Sequence, residues 1–533
     1  MNFFTWFLYA LSALVLINVA GAIRTRIHNK VAARSLGCLP PPTARNRGWG
    51  GLKTLLESIK ATRDEWGPIW LHQAINEVGV AVHTIRAVVL DYELLITRDP
   101  ENVKAMFASQ AEDFDIGKHR QKTFKSLLGH GVMTNRGQAW KHSRALVRGQ
   151  FARYNVADMS LLDTHTDALL KRLGTEIDPQ TGWTGKLDVA PLFYALTLDI
   201  STEFLLGTST SVLDPEARSK TPLGLVDGHE PDLEGFGRHL DGAKKMLDRR
   251  GALAKYGWLL RDKRYPMHCK KVQDFVDYFV HLRLERMGDA EKSVGNVNGK
   301  EKFILLDHLA TETTHPLHLR NELLNVLHAS RDTTAALMGW VFYFLARHGR
   351  VFDRLREDVL ERFGQQGEKE LTFESLHSMG YMQCVINETI RSVGIVPINE
   401  RMAMRDTTLP RGGGLDGQSP IFVPKGQQVL IPTYSMQHRE DIWGSDVDEF
   451  RPERFENRKS SWSFIPFGGG SRQCLGQQFA RTEASYLLVR LLQRFDKIEN
   501  MEKGDGKLKM HHTIENRSGT GVQVRFRVAE NYR

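Results

Sequence analysis

The residue run best equipped for chemistry lies near the C-terminus, Phe467-Gly468-Gly469-Gly470-Ser471-Arg472-Gln473-Cys474-Leu475-Gly476. One cysteine follows a glycine-rich turn and opens a helical pattern through Ala480, Leu487 and Val489. Glycine permits backbone turns with positive φ and close approach to a flat ligand. A thiol at a helix N-terminus is drawn toward its thiolate by the dipole and free N–H groups, and Arg472 adds positive charge two residues away. Such a cysteine is a soft, anionic metal ligand; the plain alternative is an inert buried thiol. A second candidate is the acid–alcohol pair Asp332-Thr333, inside His328-Ala329-Ser330-Arg331-Asp332-Thr333-Thr334. The helix carrying it is predicted to start at Pro316, which suits a first turn, and to run to about His348, where Gly349 stops it. Neither Asp nor Thr is a strong helix former.

Two further pairs have helical spacing. Glu388 and Arg391 stand at i, i+3 and Trp140 and Arg144 at i, i+4, so each pair shares a helix face. Alone, either pair fits a solvated helix or an ordinary core. Phe450-Arg451-Pro452-Glu453-Arg454-Phe455 lies between the Glu388–Arg391 pair and the cysteine loop.

Together these motifs resemble cytochrome P450. The pattern Phe-x-x-Gly-x-Arg-x-Cys-x-Gly is similar to that family's haem-binding loop, which implies haem b with Cys474 as its axial thiolate and Phe467, Gly470 and Gly476 shaping the loop. The resemblance further implies that Trp140, Arg144, Arg401 and Arg472 meet the haem propionates. It implies that Glu388, Arg391 and Arg454 form a structural cluster holding the loop, and that Asp332 and Thr333 deliver protons during oxygen activation. Ser330 replaces the usual glycine, and its hydroxyl is free to bond back to a helical carbonyl. Phe114, Phe124, Leu127, Leu128, Ala329, Gly394 and Ile395, with the region 228–262, are placed around the substrate pocket by resemblance.

Stretches such as 113–118, 131–134, 140–144, 331–335, 409–414 and 422–426 are similar to fungal alkane- and fatty-acid-hydroxylating P450s and to their metabolite-tailoring relatives. This implies insertion of one oxygen atom into a C–H bond of a hydrophobic, partly aliphatic substrate. Electrons are expected from NADPH through a P450 reductase, with cytochrome b5 a second candidate donor. One departure is Ser392-Val393-Gly394-Ile395-Val396-Pro397, where the family usually carries Leu-Tyr/His-Pro; a reshaped cavity follows. The leading expectation is metabolite tailoring, with terminal hydroxylation of alkanes or fatty acids as the alternative. A reductase-independent isomerase and a non-catalytic haem sensor are the other classes, and neither needs a proton relay.

The elements that must position these residues read as one large catalytic unit, 51–533, mainly α with small β-sheets. Strand signals lie at 79–97, at 409–433 with Arg411–Gly414 as a turn, and at 508–528. Polar loops are expected at 288–300 and 364–368. Residues 1–23 hold no charged side chain, an apolar run long enough for one transmembrane helix. Arg24, Arg26, Lys30 and Arg34 follow, so a single-pass anchor with the catalytic domain on the cytosolic face of the endoplasmic reticulum is expected. A cleaved signal peptide is the alternative, since Ala20-Gly21-Ala22 looks like a cleavage site, but a basic n-region is missing. Residues 24–50 form a basic, Pro-rich linker. Among 533 residues, the net charge of +9 suits an anionic membrane or an acidic partner; no basic run interleaved with aromatics points to nucleic acid. The four cysteines form neither a zinc pattern nor a disulfide framework.

Overall fold

The computed structural model describes residues 3–44, 48–89, 92–151, 158–218, 226, 230–252, 254–288, 303–504 and 506–530. The helices that carry the site are numbered here in chain order. They are α1 (Phe3–Ser35), α2 (Lys118–Leu128), α3 (Gly137–Arg148), α4 (Ser160–Gly174), α5 (Ala190–Leu206), α6 (Phe236–Ala252), α7 (Arg264–Gly288), α8 (Pro316–Leu345), α9 (Gly349–Phe363), α10 (Phe373–His377), α11 (Gly380–Val393) and α12 (Gln477–Arg494).

Helix α8 is the axis of the molecule. From Leu319 onward it is buried almost all round, as a central core helix must be. Trp340 and Phe342 are 0% and 1% exposed. Helix α5 lies against it, with Phe193 packed on Phe342 at 5.4 Å between ring centroids. Pro316 occupies the first turn as expected, but the helix ends at Leu345 rather than at Gly349. His348 leaves the helical conformation at φ −124°, ψ 71° and caps α9, so Gly349 opens the next helix instead of stopping this one.

Strands β1 (Thr84–Val89), β2 (Tyr92–Thr97), β3 (Phe114–Asp115), β5 (Asn399–Ala403) and β8 (Gln428–Ile431) form one sheet in the order β1-β2-β8-β5-β3. Only β2 and β8 pair in parallel. Strands β6 (Thr407–Gly413) and β7 (Ser419–Val423) form a hairpin. β4 (Leu187–Asp188), β12 (Gln523–Val528) and β9 (Phe495–Asn500) make a three-stranded sheet, and β10 (Met510–His512) pairs with β11 (Asn516–Ser518). The three expected strand regions are therefore present; β5 and β9, rich in charged residues, were not expected. The turn expected at Arg411–Gly414 falls later, because β6 continues through Gly413 and Gly412 N–H reaches on to the Gly417 carbonyl (2.7 Å).

At the N-terminal end, α1 runs unbroken through Arg24 and Arg34, so no helix boundary divides the expected anchor from the expected linker. The prolines that follow are docked on the sheet. Leu39 N–H donates to the Pro420 carbonyl (2.9 Å) and Ala44 N–H to that of Arg86 (2.8 Å), while Cys38 is buried. Among the described residues, no helix is long and apolar enough to cross a membrane. Residues 1 and 2 and the side chains at 3, 5, 8 and 10 lie outside that description, as does most of the loop expected at 288–300. The loop expected at 364–368 joins α9 to α10, with Gly364 ending α9 at φ +68°.

Candidate active site

A cavity of about 340 Å³ lies between α8 and the cysteine loop. Its roof is Val326, Ala329, Ser330, Thr333, Thr334 and Leu337 of α8. Phe467, Gly468, Cys474 and Gly476 form its floor, and Gly394 and Ile395 close one side. Gly394 carries φ +62° at the C-cap of α11, where its N–H donates to the Ile390 carbonyl (2.8 Å). A left-handed C-cap is what glycine supplies without strain.

The floor is built by backbone geometry. Gly468 and Gly470 take φ of +72° and +63°. A methyl group at Gly470 would sit on the carbonyl of Phe107, so this glycine serves chain packing behind the loop rather than the cavity itself. Cys474 N–H donates to the Phe467 carbonyl (2.9 Å), closing the loop under the thiol. Helix α12 begins three residues after Cys474, with Gly476 as its cap. Burial pushes the Cys474 thiol up, while the Gly476 N–H and the Arg144 guanidinium pull it down. Arg472, expected to supply that positive charge, instead points to Asp115 (2.5 Å) and the Asn135 carbonyl (3.0 Å).

One edge of the cavity is cationic. Trp140, Arg144, Arg401 and Arg472 all line it, as expected. The Arg472 guanidinium lies 4.1 Å from the centre of the Trp140 ring, and Arg144 donates to the Gln473 carbonyl (3.0 Å). Arg120 of α2 lines the same edge and was not anticipated from sequence. Burial, then Arg120 and Arg472, depress Arg401 to about 9; burial chiefly depresses Arg472 to about 10. Such crowding of guanidiniums suits a ligand with its own carboxylates. A thiol in the floor, a roof of small apolar and hydroxyl side chains and this edge together fit haem b, which Cys474 would hold by its sulfur and the arginines by its propionates.

Behind the floor, Glu388, Arg391 and Arg454 meet as expected. Arg391 donates twice to Glu388 (2.8 and 2.9 Å), Arg454 lies 3.5 Å from the same carboxylate, and Arg451 N–H adds a bond of 2.9 Å. Glu388 and Arg391 are fully buried. Arg391 also donates to the carbonyls of Gln437 and Glu449, and Arg454 to those of Trp443 and Asp446. The cluster thus ties α11 to the chain leading into the cysteine loop.

The roof differs from expectation. Thr333 lines the cavity and its hydroxyl donates back to the Ala329 carbonyl (2.8 Å). Ser330 back-bonds as expected, to the Leu327 carbonyl (3.3 Å), and also meets the Ser201 hydroxyl (2.9 Å). Asp332 faces away from the cavity, because successive helical residues point about 100° apart. Its carboxylate pairs with Lys244 of α6 (2.9 Å) and with Arg331 (3.3 Å). Burial works against the charge, but these cations win and hold Asp332 near 2. Lys244 also meets Glu515, and Arg331 meets Asp241 (2.6 Å), so Asp332 is the centre of a seam joining α6 to α8.

Four residues expected at the pocket do not line it: three lie in the core and Phe124 is half-buried against it. Leu127 and Leu128 are fully buried beneath α8, Phe114 belongs to a second cluster around β5, and Phe124 packs edge-on to His328 (6.2 Å). Ile116, Val132 and Met133 line the cavity in their place. Among the described residues of 228–262, none lines this cavity; the region bears on it through the Lys244–Asp332 seam.

The family model for cytochrome P450 matches residues 71–517. The chain belongs to the cytochrome P450 family. A cytochrome P450 monooxygenase, g430, from a Fusarium species is 40% identical, over 92% of this chain and 85% of that protein. Cytochrome P450 52A13 of Debaryomyces hansenii is 40% identical over 87% and 86%. Cytochrome P450 monooxygenase alt2 of Alternaria solani is 36% identical over 88% of each. The solved haem domain of cytochrome P450DA superposes with a TM-score of 0.73 at 19% identity, covering 92% of this chain and 98% of that one. The P450 is accordingly an oxidoreductase of the haem-thiolate class, mainly helical with small sheets.

One more residue of this P450 escaped the sequence reading. Glu483 of α12 is buried, and burial pushes its carboxyl up to about 8. A lone acid four residues after Phe479 and four before Leu487 is the signal that marks it.

Proposed function

We propose that this P450 is a membrane-seated monooxygenase that inserts one oxygen atom from O2 into an unactivated C–H bond of a hydrophobic, partly aliphatic substrate, as a tailoring enzyme acting on a polyketide or fatty-acyl-derived metabolite of fungal secondary metabolism. The observation that carries this reading is the cavity itself, with a single thiol below, the hydroxyls of Thr333 and Thr334 above and largely apolar walls between. When bound, haem supplies reductive activation of dioxygen, favoured by its thiolate ligand. The chain's part is to hold that ligand on a rigid loop, neutralise the propionates with Arg120, Arg144, Arg401 and Arg472, exclude water and present hydroxyl groups. Electrons come from NADPH through a membrane-bound reductase, with cytochrome b5 an auxiliary donor. Peroxide-rearranging isomerase chemistry would need neither, so dependence on NADPH and reductase separates the classes.

Apolar walls discriminate weakly between similar chains, which is why substrate choice rests on cavity shape. Gly394 is part of that shape and favours tailoring over simple chain hydroxylation. Terminal hydroxylation of alkanes or fatty acids is the second reading, favoured by the 40% identity to cytochrome P450 52A13. Optical titration of the ferric enzyme with dodecanoate, after the reduced carbon-monoxide band is verified, decides between them. A high-spin shift brings the second reading forward; an intact thiolate band without a shift leaves tailoring.

The seat in the membrane is α1. Phe4, Trp6, Phe7, Leu14, Leu16 and Ile17 are each more than half exposed. An exposed apolar helix of this kind is stable inside a bilayer, where its backbone bonds are satisfied internally. The basic residues from Arg24 support a catalytic domain on the cytosolic face of the endoplasmic reticulum.

A further inference from the structure

Helix α8 is the apolar axis of the molecule, yet its first half buries a carboxylate and an amide completely. Glu322 and Asn325, both 0% exposed, stand at i, i+3 and share a face. Such groups are costly to bury unless their hydrogen bonds are made. Most of theirs are made to one segment, the loop between α2 and α3. Val132 N–H donates to Glu322 Oε2 (3.0 Å) and Met133 N–H to Asn325 Oδ1 (3.0 Å), while Asn325 Nδ2 donates to the Leu128 carbonyl (2.9 Å).

The loop is tied to itself as well. The Thr134 hydroxyl donates to the Gly129 carbonyl (2.9 Å) and accepts from Gly131 N–H (2.8 Å), and Asn135 N–H returns to the Gly131 carbonyl (2.8 Å). It also lies hard against α8: a methyl group at Gly131 would stand 2.5 Å from Asn325 Nδ2. A turn bonded in this way moves as a unit, and its height over the cavity is set by the two bonds from α8. The side chains attached to those two N–H groups, Val132 and Met133, line the cavity; Glu322 itself does not.

We propose that Glu322 is a positioning residue for substrate: with Asn325 it fixes the 129–135 turn on α8, sets how far Val132 and Met133 reach into the cavity, and so decides how a long apolar chain threads past them. This rests on the monooxygenase reading above. The carboxylate charge has a separate partner. The second Glu322 oxygen stands 3.5 Å from His318 Nε2, and that carboxylate holds the His318 imidazole above its ordinary proton affinity. His318 in turn stacks on His142 of α3, 5.6 Å between ring centroids. At the loop, Glu322 therefore needs only an acceptor oxygen at the right reach.

The test is optical titration of the full-length ferric holoenzyme with imidazole and with 1-dodecylimidazole. Both put a nitrogen on the haem iron, and only the second must run a chain past Val132 and Met133. Glu322→Gln keeps the acceptor oxygen and removes the charge; Glu322→Asp keeps the charge and draws the oxygen back by one methylene. The aspartate variant should bind 1-dodecylimidazole about tenfold more weakly, the loss of one hydrogen bond to a charged group, and should bind imidazole as the wild type does. The glutamine variant should match the wild type with both ligands. In a Val132→Ala, Met133→Ala background the aspartate substitution should have no further effect, because the cycle removes the side chains it acts through. Wild-type affinity for the dodecyl ligand in Glu322→Asp overturns the proposal. Equal weakening of both ligands does so too, since that is what a general loss of structure gives. A glutamine variant as weak as the aspartate overturns it in favour of the charge facing His318. If the aspartate variant loses its reduced carbon-monoxide band, Gly131→Ala, whose methyl pushes the same turn off Asn325, takes its place with the same expected and overturning results. No turnover is involved, so the titration decides the role of Glu322 separately from NADPH consumption, on which the monooxygenase reading stands.

Discussion

Arg391 is fully buried and donates to one carboxylate and two backbone carbonyls, so its loss leaves the buried Glu388 carboxylate with only the Arg451 N–H and a longer contact to Arg454. Removing one partner of a buried pair costs about 3–5 kcal/mol. Arg391→Ala should therefore lose the reduced carbon-monoxide band of the thiolate and lower the urea midpoint. Arg391→Lys should do nearly as badly, because an ammonium cannot reproduce the two-pronged bond. Haem retention at wild-type level in either variant would show that the loop is held by something else. Glu483 makes the opposite kind of contribution. Its folded carboxyl titrates at about 8, above its ordinary value of 4.5. The folded state then binds the proton more tightly, so this contribution to stability is complete below about pH 4.5 and disappears as pH rises through 8. Between pH 5 and 7 the wild type should lose about 3 kcal/mol relative to E483Q. Equal pH slopes of the two denaturation midpoints would mean that Glu483 is ionised in the fold.

At the scale of elements, the end of α11 and the α6–α8 seam govern the cavity from outside it. A proline at position 394 looks like a return to the family pattern, yet Gly394 sits at φ +62° and its N–H is bonded to Ile390. Proline can supply neither feature. Gly394→Pro should lower the melting temperature sharply and release haem, whereas Gly394→Ala should cost about 1–2 kcal/mol for an L-residue in the left-handed region and keep the thiolate band. If the proline variant is as stable as wild type, the α11 cap is not the constraint described. The seam behaves differently. Asp332→Asn keeps shape but removes the charge that faces Lys244 and Arg331. We expect faster amide exchange in α6 and a lower melting temperature, with peroxide release per NADPH unchanged. More peroxide at wild-type stability would return Asp332 to the proton relay that its sequence position implies.

At the scale of the whole molecule, what was legible in the sequence was what short spacings encode. The cysteine loop, the Glu388–Arg391 pair and the Pro316 helix start each declare themselves within a few residues. Side-chain direction did not. Asp332 and Thr333 are neighbours in sequence, yet the helix turns one into an ion-paired seam and the other into the cavity. Arg120 gains meaning only from Arg401 and Arg472, far along the chain, and β5 hid because the charged Glu400 and Arg401 interrupt its short apolar pattern. The N-terminal helix is the last case, and its role is open to a direct test. Within the described contacts it meets the catalytic domain weakly, through an exposed pair of His28 and Asp406 at 2.8 Å. Exposed pairs contribute about 0–1 kcal/mol. Deleting residues 1–23 should therefore leave the melting temperature and the thiolate band unchanged. The full chain should sediment with phospholipid vesicles even in high salt, which screens charge but not apolar insertion. The truncated protein should stay in solution. If it sediments as well, the seat lies elsewhere on the surface, and Trp258 and Leu259, 66% and 57% exposed at the turn between α6 and α7, become the apolar side chains to replace.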